Sequence, residues 1–293
     1  MNWLQAILLG LVQGLTEFLP VSSSGHLAIG KAVLGVEPAG DLIFEVTVHA
    51  ATVLATIVVF RKQIWKLLCG LFMFKYNDET DYIAKIFLSM IPVLIVGVFF
   101  KDSVEAAFNS LLVVGIALLV TAVLLTLSDW LAMGKISRLR TSCSARNDNI
   151  EVQSVISTEA EPSGEISVRN GISFWQALVV GVGQALAVIP GLSRSGTTIS
   201  TGLLCGVKRQ NMAQFSFLMV LVPIVGEMFL DVVGGDFAGS STGVLPLVLG
   251  FLAAFVSGLF ACKVMIALVR KAKLKWFGLY CAIVGILVLI FLA

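Results

Sequence analysis

Two short runs carry the side chains whose types and spacing suit chemistry. Gln13–His26 reads Gln-Gly-Leu-Thr-Glu-Phe-Leu-Pro-Val-Ser-Ser-Ser-Gly-His. It offers the Glu17 carboxylate, three hydroxyls as candidate nucleophiles or donors (Ser22, Ser23 and Ser24), and His26, which exchanges protons near neutral pH. Gln184–Thr198 reads Gln-Ala-Leu-Ala-Val-Ile-Pro-Gly-Leu-Ser-Arg-Ser-Gly-Thr-Thr and supplies Arg194, whose planar fork matches phosphate oxygens bidentately. Ser193, Ser195, Gly196, Thr197 and Thr198 surround that arginine ahead of an apolar helical run. Hydroxyls and free backbone N–H groups should therefore converge there at a helix N-terminus. The matching chemistry is nucleophilic attack on a bound phosphate, with Glu17 orienting or deprotonating a partner, or holding a divalent cation. The plainer alternative pairs Arg194 with Glu17 and leaves the serines as helix caps and His26 against a carbonyl. So many donors around one arginine favour the anion site.

The rest of the chain says where these runs must sit. Hydrophobic residues make up 58% of it, charged residues only 13%, and mean hydropathy is +0.97; a soluble domain carries about 25% charged residues. This composition implies an integral membrane protein. Apolar stretches of spanning length recur and the period-2 alternation of a membrane barrel is absent, so the fold class is an all-α polytopic membrane protein. The formal charge of +2, without a basic face, gives no sign of nucleic acid as a partner. The five cysteines, Cys69, Cys143, Cys205, Cys262 and Cys281, show no Cys-x-x-Cys spacing and read as packing residues. Asn2–Leu11 lacks a basic n-region and a cleavage site, so it is expected to remain in the mature protein.

Six full spans are expected: Leu42–Phe60, Ile83–Phe100, Leu111–Leu131, Ala213–Val232, Val244–Cys262 and Trp276–Ala293. Trp3–Gly35 and Phe174–Gly206 are broken at Pro20 and at Pro190-Gly191, and each reads as a re-entrant helix pair. With that layout 17 of the 20 basic residues fall on one side, which the positive-inside rule makes cytoplasmic. Ala132–Gly171 is polar, without apolar periodicity, and reads as a flexible cytoplasmic linker.

An offset of 171 explains why a linker belongs there. Gln5, Ala6, Gly10, Gln13 and Leu15 match Gln176, Ala177, Gly181, Gln184 and Leu186. Ser22, Ser24 and Gly25 match Ser193, Ser195 and Gly196, and Gly35, Val36 and Phe44 match Gly206, Val207 and Phe215. The expected organisation is one transmembrane domain: repeat one 1–131, linker 132–171, repeat two 172–293. One re-entrant pair plus three spans per repeat inverts the second copy and brings the two broken tips together near the midplane.

At these residues the chain resembles the undecaprenyl-pyrophosphate phosphatase (bacitracin-resistance) family. The resemblance rests on Glu17-Phe-Leu-Pro-Val-Ser-Ser-Ser-Gly-His26 followed by Pro190-Gly-Leu-Ser-Arg-Ser-Gly-Thr-Thr198, and extends over nearly all of the chain outside the linker. It implies removal of the terminal phosphate of the C55 isoprenoid pyrophosphate, recycling the carrier lipid for peptidoglycan and other wall polymers. It also implies a multi-pass protein of the bacterial plasma (inner) membrane with its site open to the periplasmic face, touched by bacitracin only through sequestration of the substrate. Glu17 matches the second acidic residue of the family's Glu/Gln-x-x-x-Glu motif, and Gln13 takes the first place as an amide. Ser23 matches the nucleophile, His26 the catalytic histidine, and Ser193, Arg194 and Thr198 the phosphate loop. Ser22, Ser24, Ser195 and Thr197 join as candidate substrate donors. A divalent cation, Mg or Ca, would have only Glu17 from the acidic motif, and no organic cofactor is implied.

The expected reaction has Arg194 clamp the pyrophosphate, Ser23 attack and His26 assist proton transfer, with direct attack by His26 as a variant. A transporter or flippase of polyprenyl phosphate is the main rival, since inverted repeats and midplane anion sites also build carriers. The Ser/His pair, which transport does not need, speaks against it. An acid-phosphatase-like lipid phosphatase would place a histidine six residues beyond the arginine, where this chain has Ser200. Glu45, His49, Thr52 and Thr56 share one helix face as a polar stripe, from which Glu45 could reach the site. Glu227 and Asp231 read as solvent or head-group contacts. Composition and motifs leave the oligomeric state open.

Overall fold

The computed structural model of the chain describes residues 1–36, 42–73, 75–108, 110–144, 171–234, 242–271 and 273–292. The side chains of Cys143, Glu227 and Asp231, and most of the expected linker, lie outside the described residues. The elements described are helices: α1 (Trp3–Phe18), α2 (Ser23–Leu34), α3 (Leu42–Val59), α4 (Arg61–Phe72), α5 (Asp78–Phe99) and α6 (Lys101–Phe108). They continue with α7 (Leu111–Ser144), α8 (Phe174–Leu186), α9 (Arg194–Leu204), α10 (Arg209–Gly234), α11 (Val244–Lys271) and α12 (Lys275–Phe291). By length and hydropathy, α5, α7 through Leu131 and α11 through Leu268 are each able to cross a membrane. A fourth span is counted if α3 and α4, bent by 78° at their junction, are taken together. Large apolar side chains such as Phe99 and Phe291 point outward, as lipid rather than water requires.

Both broken stretches are helical hairpins. Asn2 and Gln5 cap α1 reciprocally, and Ser173 and Gln176 do the same for α8, satisfying orphan N–H groups at each start. The capping glutamines then reach across: Gln5 Nε2 donates to the Leu34 carbonyl and Gln176 Nε2 to the Cys205 carbonyl, each at 3.0 Å. The end of the second helix is thereby tied to the start of the first, so each pair returns to where it entered. Gly35 (φ +64°) and Gly206 (φ +86°) close α2 and α9 in the left-handed conformation that glycine adopts without a Cβ penalty.

Small residues let the long helices approach. A Cβ on Gly10 or Gly14 of α1 would run into the α11 backbone, and one on Gly181 of α8 would strike the Ser89 carbonyl of α5. Thus α1 packs on α11, α8 on α5, and α7 on α12. Along α7, the fully buried Asp129 pairs with Arg209 of α10 and accepts from the Lys275 N–H at the start of α12. Beside it, Ser128 and Ser200 are hydrogen bonded at 3.0 Å, which anchors α9 to α7.

Two elements differ from expectation. Helix α7 continues to Ser144, so the polar stretch after Leu131 begins as helix and not as flexible linker. Ala132, Met133, Lys135, Leu139 and the arginines beside it are good helix formers, and polarity there marks only the end of the apolar span. Helix α4 follows α3 across a sharp bend, with Arg61, Lys62 and Lys66 beside exposed Trp65 and Phe72. Its mixed composition suits an interface, and the stripe of apolar residues was too short to register as a span.

Candidate active site

The first turn follows α1. Leu19, in extended conformation, ends the helix, and Ser22 takes φ +71°, the one positive φ of a non-glycine residue among the described residues. Such a conformation costs about 1–3 kcal/mol and persists where its surroundings hold it. Ser22 Oγ accepts from the Gly25 N–H and caps α2, which makes Ser23 the first helical residue. The Ser23 hydroxyl donates to Glu17 Oε2 at 2.6 Å, and Gln13 Nε2 donates to the same oxygen at 2.9 Å. Glu17 is thus aimed by a fully buried amide one helical turn earlier on α1.

The second turn is built in parallel. Gly191 has φ +89°, and Ser193 Oγ accepts from the Gly196 N–H, so Arg194 becomes the first residue of α9. From α7, Thr121 Oγ1 accepts from the Ser193 N–H at 3.0 Å, which fixes the loop from behind. The two turns touch each other: Ser195 Oγ donates to the Leu19 carbonyl at 3.1 Å, and the backbones meet closely at Gly25 and Gly191. A Cβ at Gly191 would lie 2.5 Å from the Val114 carbonyl oxygen, besides requiring a left-handed φ. Gly191→Ala should accordingly cost about 2–4 kcal/mol, from strain plus overpacking. The check is thermal unfolding in detergent, where a clearly lowered midpoint is expected and an unchanged one speaks against this packing.

Between the turns and helices α3 and α10 lies a cleft. Its polar lining is Glu17, Thr52, Thr56, Arg194, Ser195 and Ser216; its apolar lining is Phe18, Val53, Phe217, Val220, Leu221 and Ile224. Arg194 makes no ion pair among the described residues, so it does not neutralise Glu17, whose Oε2 is engaged by Gln13 and Ser23. A half-buried guanidinium facing an apolar-walled cleft is a site for an anion attached to something greasy.

His26 does not pair with Ser23. Its Nδ1 lies 2.7 Å from the Ser22 carbonyl oxygen and its Nε2 2.8 Å from the Tyr280 hydroxyl of α12. Most of the remaining expected residues have their hydroxyls engaged. Ser22 and Ser193 cap helices, Ser24 approaches Ser22 at 3.4 Å, and Thr198 bonds the Arg194 carbonyl and, at 2.6 Å, Ser216 Oγ. Thr197 Oγ1 is buried without a partner among the described residues, as is Gln13 Oε1.

The polar stripe on α3 divides. Thr52 and Thr56 line the cleft, whereas Glu45 pairs with the buried Lys31 of α2 and the His49 Nδ1 meets the Glu45 carbonyl. Two site neighbours escaped the sequence reading. Ser216 is the 171-offset mate of Glu45, a signal available in the repeat. Tyr280 sits in an otherwise apolar helix and carries no motif at all.

Comparison with known proteins agrees over the full length. The family model for the bacitracin resistance protein BacA matches residues 6–287. An undecaprenyl-diphosphatase of Bacteroides fragilis is 47% identical over 294 residues, covering 99% of this chain and 98% of its own. One from Parabacteroides distasonis is 49% identical over 291 residues, covering 98% and 97%. One from Methanococcus vannielii is 34% identical over 292, covering 99% and 100%. Both signature runs and the cleft between them fall inside the matched region, and the chain belongs to the bacitracin resistance protein family.

Proposed function

We propose that this chain is a membrane phosphatase that removes the terminal phosphate of undecaprenyl pyrophosphate, the activity its relatives' names carry. The observation that carries the reading is the Ser23–Glu17 hydrogen bond of 2.6 Å, with Glu17 and Arg194 lining one cleft whose lining is otherwise largely apolar. Arg194 binds the pyrophosphate bidentately, while Phe217, Val220 and Leu221 cover the first isoprene units.

Ser23 Oγ attacks the terminal phosphorus as its proton passes to Glu17 Oε2; the bridging P–O bond breaks and undecaprenyl phosphate leaves. Water then attacks the phosphoserine, Ser23 regains its proton from Glu17, and the displaced water proton goes to solvent with the phosphate. Glu17 here replaces His26 as the group that takes the serine proton, because it holds the hydroxyl and His26 does not. A magnesium or calcium ion fits this donor set in a limited way. Glu17 and the unpartnered Gln13 Oε1 are oxygen ligands that would hold it only together with substrate phosphates, where it would offset charge.

The same reading places the two hairpins as re-entrant pairs of inverted repeats in the bacterial inner membrane, with the cleft open to the outer face. Several observations support it: the duplicated caps and crossing glutamines, the exchange in which α1 lies on α11 and α8 on α5, and the 17 basic residues assigned to one side. Purified protein in detergent should release inorganic phosphate from C55 pyrophosphate. Absence of release, with lipid exchange retained in vesicles, would instead favour a carrier.

A further inference from the structure

His26 belongs to the first signature run, and its partner stands 254 residues farther along the chain. The Ser22 carbonyl oxygen can only accept, so the Nδ1 atom 2.7 Å away carries a hydrogen. In the neutral ring Nε2 is then an acceptor, and the Tyr280 hydroxyl at 2.8 Å donates to it. The two rings lie 10° from parallel with centroids 5.5 Å apart, so the tyrosine also sets the plane of the imidazole. The next residue of α12, Cys281, directs its thiol at the Pro20 carbonyl, 3.8 Å away. Two successive residues of one helix therefore hold the first turn on either side of Ser22.

Ser22 needs that support, since its φ of +71° is one that residues with a Cβ rarely adopt. Its carbonyl is held by His26 and its hydroxyl by the Gly25 N–H, and Ser23 takes its direction toward Glu17 from the peptide between them. We propose that Tyr280 is a positioning residue: its hydroxyl and ring hold the His26 imidazole in place, the Nδ1–H of that held ring grips the Ser22 carbonyl, and the gripped peptide aims Ser23 at Glu17. Without the hydroxyl the imidazole loses one of its two anchors and rocks about the remaining bond from Nδ1–H to the Ser22 carbonyl. The turn then loosens at the residue that bears the nucleophile.

The chain has two histidines, His26 and His49, so nitrogen NMR of the full detergent-solubilised protein labelled in its imidazoles reads both rings, with His49 as internal standard. The unaltered protein should show His26 as the Nδ1–H tautomer. In Tyr280→Phe the His26 Nε2 signal should move as the hydrogen bond donated to it is lost, while the signals of His49 stay. In the same variant kcat should fall about tenfold with KM within about twofold, the scale of one neutral hydrogen bond lost away from the phosphate clamp. Tyr280→Leu, which also removes the ring, should move the His26 signals in the same direction. Unmoved His26 signals in either variant, or an unchanged kcat in Tyr280→Phe, overturn the proposal. The turnover arm rests on the phosphatase reading, whereas the imidazole-signal arm involves no substrate, so failure of the one is told apart from failure of the other.

Discussion

Ser23→Ala should lower single-turnover phosphate release at least about 10^3-fold while leaving the fold in place, because it removes the proposed nucleophile and nothing that supports the turn. The caps belong to Ser22 and the contact with the second turn to Ser195, so neither depends on the Ser23 hydroxyl. Glu17 keeps its bond from Gln13 and stays oriented. Ser24→Ala is the matched control. Its hydroxyl meets only Ser22, at 3.4 Å, and its loss should change the rate by less than about threefold, the scale of one weak hydrogen bond. A Ser24→Ala protein as silent as Ser23→Ala would mean that the wrong hydroxyl has been assigned.

Arg194→Lys should lower kcat/KM by about 10^2-fold or more, and Arg194→Ala by about 10^3-fold or more, although the first keeps the charge. The guanidinium is the first residue of α9, has no carboxylate partner among the described residues, and faces the cleft that Glu17 lines. Its value to the fold is consequently small, and its value to a bound pyrophosphate large. A lysine supplies one point charge where the two terminal oxygens call for a fork. Were Arg194 instead a structural neutraliser, Arg194→Lys would retain activity and Arg194→Ala would unfold. Unfolding midpoints measured beside the rates separate these outcomes.

The two turns were legible because polar side chains are scarce in a chain this apolar, and a cluster of them repeated at a fixed offset stands out. The offset also paired Gln5 with Gln176, the two glutamines that cap α1 and α8, although the caps themselves carried no sequence reading. What stayed hidden depends on tertiary pairing. His26 and Ser23 stand three apart on one helix and look like a couple, yet Ser23 turns to Glu17 of α1 and His26 to Tyr280 of α12. Thr121, which backs the second turn, and Tyr280, which backs the first, lie on apolar helices where a single hydroxyl has no periodic signature. The α3–α4 bend and the helical run to Ser144 were missed for another reason. Hydropathy marks where apolar surface stops, not where a helix does.

The most direct test of the chemistry is to trap its intermediate. Protein mixed with C55 pyrophosphate labelled in the terminal phosphate, quenched in acid within one turnover and digested, should carry label on Ser23, in an acid-stable phosphoserine. An acid-stable label absent at full turnover, together with an alkaline quench that finds the phosphate on His26, would contradict the assignment of Ser23 as nucleophile and Glu17 as its base.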